Sequence, residues 1–224
     1  MLLPAETIRN MILYAHTHGM NAVVHCIGDA CLDAVLDGFE EAVNAFPRPD
    51  PRHGIVHCQI SRADQLERIA RLGLNVYVQS IFLDKDNHIV RRLVPPELAD
   101  HSYSWKTLLL HGVCVSNGSD CPVELPDAMA GMQCAVTRRS LDGCGPYLPR
   151  EAFTVREALD SYTSSGAQAG FEERLKGRIA PGMLADFAVL GGDPFETDPM
   201  MLKDIPVLMT YLDGKCVYDK AKRS

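Results

Sequence analysis

Two short apolar runs each end in a histidine followed by a cysteine, NAVVHC at 21–26 and GIVHC at 54–58. Behind each comes a segment whose apolar residues recur with helical spacing. After NAVVHC these are Leu32, Val35, Leu36, Phe39 and Val43, and after GIVHC a helix over 61–72. Strand alternating with helix is the signature of a parallel sheet with helices packed outside it, because parallel neighbours need a crossover connection. This repeat admits an α/β layer or barrel and little else.

The remaining elements extend the pattern. Residues 4–18 read as a helix with Ile8, Met11, Ile12 and Ala15 on one face and Gly19 as its stop. Asp29 is expected to cap the second helix, and Ser61 with Asp64 to open the third. A third strand is expected over 75–83 (NVYVQSIFL) and a fourth over 113–117, reached through a helix at 105–110. Thr154 is placed as the cap of the helix TVREALDSYTS. After Gly170 the texture changes to short strands at 177–179, 186–190 and 207–218, the last folded at Asp213-Gly214 into a hairpin.

Only four strands alternate with helices, and the chain opens on a helix. A closed barrel of this type needs eight strands and about 250 residues. The expected fold class is therefore α/β, with residues 1–174 as half of a (β/α)8 TIM barrel. Residues 175–224 read as a small antiparallel β segment.

Composition narrows the function classes. Acids outnumber bases 29 to 22, for a net charge of −7, so no nucleic-acid partner is expected. No apolar run approaches the roughly 18 residues of a membrane span, so no membrane partner is expected either. Pro4, Glu6 and Arg9 interrupt any secretory leader, and none of the eight cysteines forms a C-x-x-C pair. A cytoplasmic, reducing setting is expected, with most cysteines buried as small hydrophobes.

The chemistry concentrates at strand ends. His25 ends the first strand, His57 the second, and Asp120 follows the fourth. In parallel α/β folds active sites are assembled at the carboxyl ends of strands. Imidazoles and a carboxylate converging there suit a divalent metal that acidifies water, with the carboxylate taking the proton. His16-Thr17-His18 is also a His-x-His, but it falls at a helix end, where histidines serve the open carbonyls. His53 reads as the start of a strand, and His88, His101 and His111 as solvated. Asp84 and Asp86 read as solvated loop acids, and Cys26 and Cys58 as packing residues facing away from the site.

The segments HCIGD (25–29), RHGIVHCQ (52–59), NGSDCPVE (117–124) and KGRIAPGMLADFAVLGGDPF (176–195) together resemble the amidohydrolase superfamily. The resemblance is to amidohydrolase family 3, which includes N-substituted formamide deformylases, and it runs from about residue 5 to 218. It implies that the chain matches strands 5–8 of a metal-dependent hydrolase barrel, with 175–224 as part of a small β-sandwich. It further implies His25 and His57 as ligands on strands 5 and 6, and Asp120 as the strand-8 aspartate that binds metal and activates water. The implied cofactor is a divalent metal, usually zinc, and the implied reaction is hydrolysis of an amide- or formamide-type C–N bond in a small-molecule substrate.

Two departures accompany the resemblance. The family's strand-1 His-x-His and its strand-4 bridging residue are expected upstream of residue 1, and Val56 stands where an acidic residue is common. Weak metal binding by the chain alone is therefore expected, since a catalytic zinc keeps three protein ligands. The expected partner is a second copy or a complementing N-terminal half. The rival expectation is a catalytically inactive remnant or scaffold half.

Overall fold

The computed structural model describes residues 2–222. They form two compact units, residues 2–78 with Ile89–Val115, and Gln79–His88 with residues 116–222.

The first unit carries α1 (Ala5–Thr17), β1 (Val23–Cys26), α2 (Asp29–Ala45), β2 (Gly54–His57), α3 (Ala63–Arg71) and β3 (Asn75–Val78). β1 pairs with β2, and β2 with β3, both parallel. The strand order is β1-β2-β3-β4, with β4 at Val115–Asn117. The backbone N–H of Val76 donates to the Cys114 carbonyl at 2.9 Å, which sets the segment before β4 beside β3. Leu32, Val35, Leu36, Phe39 and Ala42 of α2 are fully buried, as are Ile55 and Val76 of the sheet. Burying each of these Leu, Val, Ile and Phe side chains contributes about 1.5–3 kcal/mol.

The buried stripe of α1 is Ile8, Ile12 and His16, while Met11, expected inside, is exposed. α1 lies close on α2 because Gly38 lacks a side chain. A Cβ there would meet Ile12 Cδ1 at 3.0 Å and the Arg9 Cα at 3.4 Å. Asp29 is the first helical residue and Gly28 the cap, so the Asp29 carboxylate is free to meet Arg62 at 3.4 Å. The helix after β2 begins one residue past Arg62, whose backbone N–H donates to the side-chain Oε1 of Gln65 at 2.9 Å. Ser61 donates instead to the His101 carbonyl at 2.8 Å. The first unit also holds three short helices, α5 (Val90–Leu93), α6 (Pro96–Ala99) and α7 (Trp105–Leu110).

The second unit contains α4 (Leu83–Asp86), α8 (Ala128–Thr137), α9 (Val155–Tyr162), α10 (Ser164–Ala169) and an antiparallel sheet. That sheet has the order β5-β6-β7, with β5 at Phe187–Leu190, β6 at Val207–Leu212 and β7 at Lys215–Asp219. The Asp213-Gly214 turn has positive φ at both residues (49° and 74°), as a tight hairpin requires. Phe187 stacks on Tyr211 across β5 and β6 at 4.6 Å.

The strand expected over 75–83 stops at Val78, and Ser80–Phe82 turns into a 3-10 helix. Asn117 explains the 3-10 turn: its Oδ1 accepts from the Ser80 N–H at 2.9 Å and its Nδ2 donates to Ser80 Oγ at 2.7 Å. Residues 177–179, expected as a strand, form a bend where a Cβ on Gly177 would meet the Ala167 methyl at 2.7 Å. Asp84 is not a solvated acid. It accepts from the Leu141 N–H at 2.7 Å and pairs with Lys85 at 2.6 Å, and these contacts hold its carboxyl below the ordinary range against burial.

Candidate metal centre

β1 and β2 run parallel in a register that pairs His25 with Val56 and Cys26 with His57. Regular alternation would set His57 on the face shared with Cys26, opposite His25. The backbone breaks that alternation. His57 has φ 76° and the next residue, Cys58, φ 48°, both left-handed and uncommon for side chains other than glycine. The His57 Nε2 then lies 2.8 Å from His25 Nδ1, with the rings edge to face at 79°. His25 is exposed and His57 is buried, so the pair has one open side.

The turn after His57 is tied down on all sides. Cys58 N–H donates to the Cys26 carbonyl at 3.0 Å, and Ile60 N–H to the Ile27 carbonyl at 2.8 Å. Trp105 Nε1–H points at the carbonyls of both His57 (3.2 Å) and Cys58 (3.0 Å). Cys26 and Cys58 are buried as expected, and burial pushes the Cys58 thiol up to about 12 and Cys26 higher still. Neither thiol ionises near neutral pH, so neither is placed to act as a nucleophile.

The donor chemistry of the pair fits a divalent cation. Two imidazole nitrogens on one tetrahedral zinc, each at about 2.0–2.1 Å, sit roughly 3.3 Å apart. The observed separation of 2.8 Å is that of an N–H···N hydrogen bond, so a shared cation would replace the bridging hydrogen and turn both nitrogens toward itself. Without a cation the two nitrogens share a hydrogen, one ring donating to the other. Among the described residues, no group of three or more His, Cys, Asp and Glu side chains is gathered to hold a metal.

Asp120 belongs to the second unit. It occupies the turn after β4 with φ 54°, is exposed, and its carbonyl accepts from the Val123 N–H at 2.8 Å. The Asn117–Ser80 bonds fix the start of the same turn. His16 and His53 form a separate buried pair, described below. His18 caps the α1 end by bonding the Tyr14 carbonyl at 2.8 Å, as its position at a helix terminus implies.

Spacing gave no sign of the Trp105 contact. The indole reaches back 47 and 48 residues, and its only sequence trace is a lone tryptophan at the start of a short helix.

A family model described as the amidohydrolase family matches residues 1–218. The chain is 35% identical over 219 residues to YtcJ of Bacillus subtilis (strain 168), covering 96% of this chain and 41% of that protein. It is 31% identical over 215 residues to the N-substituted formamide deformylase of Arthrobacter pascens, covering 95% of this chain and 39% of that one. The crystal structure of an uncharacterized metal-dependent hydrolase from Pyrococcus horikoshii OT3 superposes with a TM-score of 0.75. It is 30% identical, over 88% of this chain and 39% of that one. The chain thus spans about two-fifths of the length of the curated relatives it matches. No helix among the described residues is long and apolar enough to cross a membrane.

Proposed function

The chain belongs to the amidohydrolase family, and from that premise we propose that it carries part of the catalytic site of a hydrolase acting on non-peptide amide- or formamide-type C–N bonds. The observation that carries this reading is the His25–His57 pair, drawn together at the carboxyl ends of adjacent parallel strands by a left-handed turn. In this reading the half-barrel comprises strands 5–8 and the C-terminal residues 175–224 belong to the flanking β-sandwich.

His25 and His57 would hold a divalent cation, with zinc as the best match to two imidazoles and a carboxylate. When bound, that cation supplies Lewis acidity toward a carbonyl oxygen and acidifies water. Asp120 accepts the proton of the attacking water and passes it to the leaving nitrogen, so that the amine departs neutral. The exposed side of His25 leaves room for a small-molecule substrate. The name of the Arthrobacter pascens relative makes N-substituted formamides the first substrate class to try.

A second reading follows from the absence of a three-residue ligand cluster among the described residues. Here the chain is a scaffold half whose ligand set is completed by another chain, either a second copy or an N-terminal companion. One experiment addresses both readings. Zinc-loaded chain is assayed on N-substituted formamides and simple amides, alone and mixed with the N-terminal portion of a full-length relative. Turnover that Asp120→Asn removes while the fold survives supports the reading, and appearance of turnover only in the mixture selects the scaffold half. Turnover unchanged by Asp120→Asn, or none under either condition, contradicts it.

A further inference from the structure

His57 and Cys58 are consecutive left-handed residues, and neither is glycine. Such a conformation persists only where its surroundings hold it. The ladder bonds from Cys58 and Ile60 hold the turn on the β1 side. On the other side the carbonyls of His57 and Cys58 point into protein, where the Trp105 side chain bonds to both. Trp105 is 1% exposed and Cys58 1% exposed, so water is no substitute for the indole donor. The indole is itself fixed. Tyr103 packs its ring edge-on at 5.3 Å, and the Tyr103 N–H donates to the Gln59 carbonyl at 2.6 Å, one residue beyond the turn.

We propose that Trp105 is the positioning residue for His57. Its single N–H, shared between two consecutive carbonyls, stabilises the left-handed turn and so keeps the His57 ring on the His25 side of the sheet. A donor-only side chain with a large apolar body suits this place: it satisfies the carbonyls and fills the space behind them without adding an acceptor to bury. The functional consequence rests on the reading of His57 as a metal ligand, whereas the geometric claim does not.

The test uses the full chain with nitrogen-15-labelled histidine. Trp105 is replaced by Phe and, separately, by the benzothiophene isostere of tryptophan, which keeps the ring shape and lacks the N–H. Leu108→Ala, a buried residue on the same helix, controls for general destabilisation. Long-range proton–nitrogen spectra of the metal-free protein read the His25–His57 hydrogen bond, and cobalt(II) titration reads cation affinity. The expected result is loss of the paired nitrogen signature in both Trp105 variants, with cobalt bound at least tenfold more weakly. Leu108→Ala keeps both properties despite a lower melting temperature. Retention of the signature in the isostere, its absence in the unaltered protein, or equal loss in Leu108→Ala overturns the proposal. If the Phe variant fails to fold, the isostere decides. If the unaltered chain takes up no cobalt, the metal reading fails while the nitrogen signals still decide the role of Trp105.

Discussion

His16 Nδ1 and His53 Nε2 lie 2.8 Å apart, joining the end of α1 to the start of β2 across 37 residues, and both side chains are fully buried. The Ala22 N–H donates to His53 Nδ1 at 2.9 Å, so His53 carries its hydrogen on Nε2 and donates to His16. His16 then carries its hydrogen on Nε2 and donates to the Phe46 carbonyl. Every ring nitrogen is used with both rings neutral, and Arg48 closes the region by donating to the carbonyls of His16, Gly19 and Met20.

This chain of bonds sets a pH dependence. Burial first, then the nearby His16 and Arg48, pushes His53 down from 6.5 to about 4. Between those values the unfolded chain takes up a proton that the folded chain refuses. Stability is therefore complete above pH 6.5 and falls as the pH drops toward 4, by about 3 kcal/mol from this group. Urea midpoints measured from pH 4 to 8 should show the loss. His53→Phe should be less stable at pH 7 and have a flatter profile, and an equal slope in both proteins would contradict this account.

Gly54 opens the strand that ends in His57. A Cβ there would meet Tyr77 Cε2 at 2.5 Å and the Asn75 carbonyl oxygen at 3.2 Å. The ring can turn aside, but the backbone oxygen cannot. Gly54→Ala should cost about 1–3 kcal/mol by overpacking, read as a lower thermal midpoint. A neutral effect would mean that β2 and β3 tolerate a wider spacing.

In the second unit, Thr154 and Glu157 form a reciprocal cap: Thr154 Oγ1 accepts from the Glu157 N–H at 3.2 Å, and Glu157 accepts from the Thr154 N–H at 2.7 Å. Thr154→Ala should cost about 1 kcal/mol in chemical denaturation. Thr154→Ser should retain most of it.

Arg62 bonds Asp33 through both terminal nitrogens (2.8 and 3.1 Å) and also reaches Asp29 and Asp64, tying α2 to α3. Its side chain is 36% exposed, so solvent screens the pairs. Arg62→Gln should cost no more than about 1 kcal/mol, and less in high salt. A loss of several kcal/mol, independent of salt, would show that the network acts as a buried one.

Alternating strands and helices were legible because period and length are local properties, and so were the hairpin at Asp213-Gly214 and the cap at Thr154. What escaped the sequence depended on partners far along the chain. The spacing of His25 and His57 makes them look equivalent, yet the register sets them on opposite faces and only the turn at His57 and Cys58 unites them. His16 reads as a helix-end residue, and its burial comes from His53 and Phe46, neither within reach of any periodicity. The strand at 75 is shorter than its apolar run because Asn117 captures Ser80 from 37 residues away.

The central claim is that His25 and His57 together hold a divalent cation. The most direct measurement is a zinc titration of the full chain followed through its histidine nitrogen-15 resonances. The account predicts that the His25 and His57 signals shift together and saturate, while the buried His16 and His53 signals stay in place. Signals of His25 and His57 that remain unmoved at saturating zinc, or shifts confined to His88, His101 and His111, would contradict it.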